Sequence, residues 1–329
     1  MDATEAQVDT VDIETGTLPS DFPSLPQDSR FNRALRGLRR RVALAAMRPV
    51  AACLGSRHPG AFGILCYHRV SPHFAGLAAP TFNVTPPQFK KQMQGLLARN
   101  LQPWSLRAVL DHRRRGEPIP RNVFVVTFDD GYECVYRHAW PVLRELRIPA
   151  TVFLATAYLD SPGPFPFDDW TAKGSMNVAA DSWRPLSTWQ CAEMLASGVV
   201  EVGCHTHTHS DFRDRPRELY HDLLQSLDAL CKRFQLADAT TFAFPYGAKR
   251  FGFSGPLLAA AAREAGLLCA LTSEPDLAQF GGDPFDWGRF GVEEFHSSAT
   301  IATLLSGWYG LLRNARRQLC QFAPRGHSA

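Results

Sequence analysis

The sequence of 329 residues has no long uninterrupted apolar run, no Cys-x-x-Cys pair and little net charge. The apolar stretch Val42 to Gly55 is broken by Arg48-Pro49 and is too short for a bilayer span, which argues against a transmembrane helix. Eight scattered cysteines favour a reducing compartment such as the cytoplasm. A formal charge of +3, from 35 basic and 32 acidic side chains, leaves no whole-chain sign of nucleic-acid binding.

The two ends of the chain differ in composition from its middle. Residues 1–29 carry seven acids and no base, which is typical of a disordered acidic leader. Residues 30–59 begin with arginines among apolar residues at helical spacing, so we predict a basic amphipathic helix and a linker. Residues 298–329 are predicted to form an amphipathic helix and a tail. Either helix could pack on the central domain, residues 60–297, or lie on an anionic membrane.

Short apolar runs alternate with helical segments in the central domain. Six runs are predicted strands: Ile64–Tyr67, Val123–Phe128, Ala150–Leu154, Val199–Val202, Thr241–Phe244 and Leu267–Leu271. Five segments have helical spacing: Pro87–Asn100, Val135–Leu146, Thr188–Ser197, Arg217–Phe234 and Gly255–Ala265. This alternation predicts an α/β fold with a parallel sheet, closed or open. Residues 161–184 lack periodicity and are predicted to form a long loop over one face of the sheet.

Carboxylates and histidines follow two of the predicted strands. Asp129 and Asp130 come directly after Val123–Phe128, and His205 and His209 follow the strand that ends near Val202. Parallel α/β folds build active sites at the carboxyl ends of their strands. Two histidines and one carboxylate leave a coordination position open for water, as a catalytic zinc site requires. Because adjacent carboxylates drive their pKa values apart, one suits a ligand and the other a base.

In combination, these motifs resemble the NodB-homology polysaccharide deacetylases, also called carbohydrate esterase family four. The family motif Thr-Phe-Asp-Asp-Gly is met at Thr127 to Gly131, and His-Ser/Thr-x-x-His is met at His205 to His209. A third motif, Arg-x-Pro-Tyr, is met only in part at Ala243 to Tyr246. The resemblance covers about Gly63 to Val292 and implies a distorted (β/α) barrel.

The resemblance also implies a role for each motif residue. Three residues would hold a divalent metal, namely Asp130, His205 and His209. Zinc suits this set best, but cobalt, nickel or manganese could also fit. Asp129 would be the general base, and the backbone N–H of Tyr246 would stabilise the developing oxyanion. Thr206 would support the ligands from behind, while His207 receives no role.

Two residues that the family pattern leads us to expect are missing here, and other residues must take their roles. The motif arginine that pairs with the base is Ala243 here, and Arg289 is the candidate substitute. The late Leu-x-His motif, whose histidine acts as general acid, has no clear match, and His296 is the only late histidine outside the tail. Some relatives are circularly permuted and carry this histidine after the first strand, as His68 does here. We therefore predict His68 as the acid, with a strand-capping role as the alternative.

The predicted function is removal of N-acetyl groups from a saccharide during cell-surface polysaccharide synthesis. We expect a cytoplasmic enzyme, with peripheral contact to the inner face of the membrane as an option. The alternatives are a related amidohydrolase acting on a non-sugar amide, an inactive glycan-binding protein, and an adaptor that uses only its basic helices. Three tryptophans could stack on sugars or serve as packing anchors: Trp170, Trp183 and Trp287.

Overall fold

The computed structural model describes residues 46–49, 60–77, 79–168, 178–236, 240–308 and 310. The predicted leader, almost all of the basic segment, Trp170 and the tail past residue 310 lie outside the described residues. Residues 46–49 are helical. Among the described helices, none has the length and apolar character needed to cross a bilayer.

The strands of the described chain form a nine-stranded sheet and a separate two-stranded pair, β2 with β3. In chain order they are β1 (Ala61–Tyr67), β2 (Arg69–Val70), β3 (Asn83–Val84), β4 (Gln102–Pro103), β5 (Val123–Phe128), β6 (Ala150–Leu154), β7 (Val200–Cys204), β8 (Phe242–Ala243), β9 (Ala270–Leu271), β10 (Ala278–Gln279) and β11 (Phe290–Gly291). The strands β1, β5 and β6 are buried along their whole length, as the continuous apolar runs predict for a parallel sheet.

The main sheet is a parallel row in the order β1-β5-β6-β7-β8-β9. At one end, β11 pairs in parallel with β1, with Leu65 opposite Phe290. At the other end, Leu271 of β9 forms a bridge with Trp287, three residues before β11. Residues 287–291 therefore lie between the two ends of the row. Because only one bridge and one short strand join them, the result is a distorted (β/α) barrel, as predicted.

Seven α-helices of the described residues surround this sheet. They are α1 (Pro86–Leu97), α2 (Leu106–Arg115), α3 (Trp140–Leu146), α4 (Thr188–Ala196), α5 (Pro216–Phe234), α6 (Pro256–Glu264) and α7 (Ser298–Leu305). Proline in the first turn begins α1, α3, α5 and α6, where its missing N–H costs no helical hydrogen bond. Ser187 caps α4 in a capping box with Gln190. A π-helical turn, Val135–Ala139, precedes α3.

The core lies between the sheet and these helices. Helix α7 buries Ile301, Leu304 and Leu305 against α1 and β1. A Cβ on Gly63 would come within 1.9 Å of Leu305, so glycine at this position lets the helix approach the strand. Five free cysteines are buried like small core residues, namely Cys66, Cys134, Cys191, Cys204 and Cys269. Trp183 and Trp287 are also buried, which makes both of them packing anchors.

Candidate metal and catalytic site

The four motif side chains meet because β5 and β7 end at the same edge of the sheet. The Asp129 N–H donates to Tyr67 O, and the His205 N–H donates to Leu154 O, so both residues extend the ladder by one step. Asp130 then turns the chain with φ +70, a conformation that aspartate tolerates better than most residues. This turn directs the Asp130 carboxylate towards the histidines.

Asp130, His205 and His209 form a buried group that could hold a metal ion. Oδ1 of Asp130 lies 3.4 Å from His205 Nε2 and 3.3 Å from His209 Nε2. Burial by itself would raise the pKa of Asp130, but hydrogen bonds from the two imidazoles outweigh it and hold this pKa well below its usual range. Both contacts are longer than a good N–H···O bond, and both imidazoles point at one oxygen. This convergence fits a divalent cation shared by the three atoms.

The protonation pattern of His205 supports the same conclusion. Its Nδ1 lies 2.8 Å from Ala243 O, an acceptor that fixes a proton on Nδ1, so Nε2, which faces Asp130, is the nitrogen that a metal ion would take. His209 differs, because its Nδ1 is buried without a hydrogen-bond partner among the described residues. Aromatic rings hold His209 instead: Phe167 stacks on it at a centroid distance of 3.8 Å, and Tyr246 packs edge-on at 5.1 Å.

Arg289 forms a buried two-point ion pair with Asp129. Nη1 lies 2.6 Å from Oδ1, and Nη2 lies 2.7 Å from Oδ2. Nε donates to Thr272 O, which fixes the plane of the guanidinium. Burial would raise the pKa of Asp129, but the positive charge of Arg289 lowers it to about 2. Asp129 is therefore ionised near neutral pH, directly beside the metal-ligand group.

His68 also lies close to Asp129. It belongs to a second group of close polar atoms, with Cys66 and Asp129, all within 4.8 Å of one another. This group suits a cation poorly, because Arg289 occupies both oxygens of Asp129 and burial raises the pKa of the Cys66 thiol well above its usual value. The His68 ring stacks on Phe82 at 4.7 Å, and burial lowers its pKa.

The alternative acid, His296, lies in the turn before α7. It is fully buried, and its Nδ1 accepts a hydrogen bond from the N–H of Glu293. Its backbone oxygen accepts from Gln88 and Gln92 of α1, so this turn belongs to the packing of α7 on α1. Of the two predicted acids, the structure places His68 beside Asp129.

Tyr246 and Thr206 occupy strained turns around the ligands. Tyr246 has φ +62, and a Cβ on the following Gly247 would come within 2.8 Å of Ser273 N. Among the described contacts, the N–H of Tyr246 donates no hydrogen bond, so it is available at the rim of the site. Thr206 is buried with φ +66, and its Oγ1 accepts from the N–H of His209 at 2.9 Å.

Comparison with known proteins finds relatives for the central part of the chain. The family model described as polysaccharide deacetylase matches residues 116–268. Over this segment the chain is similar to the polysaccharide deacetylase family. It is 29% identical over 175 residues to the poly-beta-1,6-N-acetyl-D-glucosamine N-deacetylase of Staphylococcus epidermidis, and 26% identical to the protein of that name from Staphylococcus aureus. These alignments cover 50% of this chain and 54% of each relative, so the chain spans about half the length of the curated relatives it matches.

Solved structures of deacetylases share the fold. The Streptococcus pyogenes deacetylase PplD, solved in complex with acetate, superposes with a TM-score of 0.61 at 20% identity, over 75% of this chain and 99% of that protein. IcaB from Ammonifex degensii gives 0.59 at 24% identity, over 76% of this chain and 98% of that protein. Deacetylases of this family depend on a metal ion, and the Asp130, His205 and His209 group could hold one here.

Three features beside the polysaccharide deacetylase motifs were not predicted from the sequence. Phe82 and Phe167 stack on His68 and His209 from loops, where single aromatic residues carry no pattern. Asp222 bonds to the backbone of the histidine turn from α5. It could have been noticed, since it interrupts the buried stripe of that helix. His207, which had no predicted role, places its Nδ1 2.9 Å from Thr156 Oγ1.

Proposed function

We propose that this protein is a metal-dependent deacetylase that removes N-acetyl groups from a saccharide during the synthesis of a cell-surface polysaccharide. The observation that carries the proposal is the ionised Asp129, fixed by Arg289, beside the ligand group of Asp130, His205 and His209. A carboxylate base and a group that could hold a metal ion thus lie side by side among buried residues. The names of the staphylococcal relatives support polymeric N-acetylglucosamine as the substrate class.

Each residue of the site has its own role in the proposed reaction. A divalent cation at the ligand group would polarise the amide carbonyl and acidify a bound water. Asp129 takes the proton from the attacking water, and Arg289 holds the carboxylate in line. The N–H of Tyr246 donates to the carbonyl oxygen as negative charge develops on it. His68 gives a proton to the leaving amine.

Zinc is the proposed metal. Two imidazoles and one carboxylate, with a position left for water, form the donor set that catalytic zinc prefers. Cobalt, nickel and manganese accept the same donors, so reloading the metal-stripped protein with each ion, followed by activity and metal analysis, ranks them. Manganese restoring more activity than zinc would overturn the assignment.

The proposed location is the cytoplasm, with peripheral contact to the inner face of the membrane. The support comes from the sequence: seven arginines and no acid fall between residues 30 and 48. Binding to vesicles with anionic lipids, compared with neutral vesicles, tests this contact. We expect binding that weakens with salt and disappears when residues 30–59 are deleted. Equal binding by the shortened chain would contradict it.

Acetate release from β-1,6-linked N-acetylglucosamine oligomers tests the function. We expect the metal-stripped protein to be inactive, zinc to restore release, and Asp129→Asn to lower kcat by about 10²-fold or more while still binding zinc. Asp228→Asn, an exposed residue paired with Lys232, is the control that keeps activity.

Each rival function predicts a different outcome of that experiment. Zinc binding with hydrolysis of simple amides and none of the oligomers would point to an amidohydrolase. Oligomer binding without turnover would point to a glycan-binding protein. Partner binding that survives loss of Asp130 would point to an adaptor. A wild-type protein that binds no metal would remove the catalytic proposal altogether.

A further inference from the structure

The turn that carries both histidine ligands is held in an unfavourable backbone conformation. Thr206 and His209 have φ of +66 and +55, and neither is glycine. A β-branched residue such as Thr206 rarely adopts positive φ, so the surroundings must hold it there. His205 directly precedes this turn, Thr206–His209, and His209 is its last residue. The positions of their imidazoles therefore depend on whatever fixes the backbone between them.

One buried carboxylate, Asp222 of α5, bonds to the middle of this turn. It accepts from the backbone N–H of His207, from the N–H of Thr208 at 3.2 Å, and from the Thr208 hydroxyl at 2.6 Å. Hydrogen bonds to an ionised acceptor are stronger than neutral ones, especially where water is excluded. Asp222 therefore ties two of the three residues between the ligands, His207 and Thr208, to a helix of the outer layer.

Neutral groups also hold the turn. The hydroxyl of Thr156 lies 2.9 Å from His207 Nδ1, and Ser226 of α5 donates to Thr206 O at 3.3 Å. The hydroxyl of Tyr158 donates to Thr208 O at 3.0 Å. These contacts provide hydrogen-bond partners for the His207 side chain and for the carbonyls of Thr206 and Thr208. The backbone N–H groups of His207 and Thr208 bond to Asp222 instead. Without that carboxylate, two part-buried donors would lose their partner.

We propose that Asp222 is a positioning residue for the metal site, which fixes the Thr206–His209 turn so that both imidazoles face Asp130. This inference rests on the proposed metal-dependent function and deepens it. Asp222 acts through the backbone and touches neither ligand side chain. Its removal therefore lowers metal affinity by letting the turn relax, rather than by removing a donor atom.

Metal affinity of the full-length protein, measured by competition with a chromophoric chelator for zinc and for cobalt, tests the proposal. Because supporting groups of this kind contribute about 10–100-fold to metal affinity, we expect Asp222→Ala to raise Kd by that factor. Asp222→Asn keeps one acceptor oxygen and should fall between Asp222→Ala and the wild type. The visible spectrum of the cobalt-loaded variants should also change, because it reports ligand geometry independently of activity.

The control is Asp228→Ala on the same helix. Asp228 is exposed and pairs only with Lys232 among the described contacts, so its loss should leave Kd at the wild-type value. Thr208→Val removes one hydroxyl donor to Asp222 and should weaken binding in the same direction, by less. This variant and Asp222→Asn decide the matter if Asp222→Ala does not fold.

The outcomes separate this inference from the proposed function. A raised Kd with a changed cobalt spectrum in the Asp222 variants, and neither change in Asp228→Ala, supports it. Wild-type Kd in the folded Asp222 variants, with only a lower melting temperature, would show a purely structural contact and overturn it. A wild-type protein that binds neither zinc nor cobalt would overturn the proposed function and this inference together.

Discussion

The charge of the proposed base depends on one side chain, the buried guanidinium of Arg289. Position 243, where the family motif has its arginine, is a fully buried alanine. The Ala243 side chain packs in the core beside Phe62 and Trp287, and its carbonyl accepts from His205. The positive charge is supplied instead by Arg289, the residue before β11, whose guanidinium bonds to both oxygens of Asp129.

Replacing Arg289 by methionine should shift the pH dependence of the reaction. Without the guanidinium of Arg289, nothing of equal strength opposes the effect of burial, which raises the pKa of Asp129 from about 2. A higher pKa means that the base becomes protonated at higher pH, so the acid limb of kcat/KM moves upward. The pH–rate profile at saturating zinc measures this, with Arg289→Lys giving a smaller shift. An acid limb at the wild-type position in Arg289→Met would show that another group sets it.

A second residue-scale prediction concerns Phe82, which is half-exposed and has φ +56. The His68 Nδ1 is buried without a hydrogen-bond partner among the described residues, so stacking on Phe82 is what orients the ring. We expect Phe82→Leu to lower kcat for an N-acetyl amide by about 10-fold, part of the usual contribution of a general acid.

A substrate that needs no proton separates acid positioning from general damage. Hydrolysis of an activated aryl acetate should change little in Phe82→Leu, because its leaving group departs unprotonated. Trp189→Leu, another exposed aromatic residue, is the matched control and should resemble the wild type on both substrates. Equal losses on amide and ester would contradict a role through His68.

The sequence made the ligand positions and the supporting residue Thr206 predictable, but not the supports that come from distant parts of the chain. Asp129, Asp130, His205 and His209 follow strongly apolar strands, so the carboxyl edge of the sheet brings them together. Phe82 and Asp222 act across long sequence separations from a loop and a helix. Their contacts depend on tertiary packing, which leaves no local periodicity to read.

At the level of elements, the long strands were predicted to within a few residues, and the short strands β8 and β9 lie inside predicted runs, but the other short strands were not predicted. The predicted and observed bounds agree for Val123–Phe128 and Ala150–Leu154. Two-residue strands such as β10 and β11 contain too few side chains to show alternation. Helix α2 was not predicted from the sequence. Only Leu106 and Val109 of this helix are buried and its last turn is basic, so its apolar periodicity is weak.

The predicted loop over the sheet is fastened by a buried ion pair next to the site. Arg69 lies 2.5 Å from Asp168 and donates to the Tyr132 hydroxyl at 2.6 Å. Both charged side chains are almost fully buried. This attachment fixes the turn that carries Phe167 onto the ring of His209. The loop thereby helps to orient a ligand that lacks a hydrogen-bonded partner.

Asp168→Asn should destabilise the protein strongly, because Arg69 would keep a buried charge without its partner. Breaking such a pair costs about 3–5 kcal/mol, measured as a lower midpoint in urea denaturation. Loosening Phe167 should also speed zinc transfer to a chelator. Asp211→Asn breaks the part-exposed pair with Arg213 and should cost about 1 kcal/mol or less. Equal effects of the two variants would show that the Arg69 pair has no special role.

At the scale of the whole molecule, the proposed site draws on both ends of the strand row. The segment 287–291 contacts both β9 and β1, and so carries Arg289 to Asp129. His68 directly follows β1, the strand with which β11 pairs. Both residues lie outside the family-matched segment 116–268. The proposed catalytic group therefore needs the chain from β1 to β11.

Metal binding should stabilise this barrel, and by an amount that grows with pH. The proposed ion joins the ends of β5 and β7, and a ligand at 100 times its Kd adds about 2.7 kcal/mol to the free energy of unfolding. Burial would lower the pKa of His205, but the charges of Asp129 and Asp130 raise it above its ordinary value, so the metal-free site binds a proton there. Zinc must displace this proton, which makes its affinity rise as pH increases through the raised pKa. Melting temperatures of metal-free and zinc-loaded protein from pH 5.5 to 8 should therefore diverge with pH, whereas a constant difference would place the ion elsewhere.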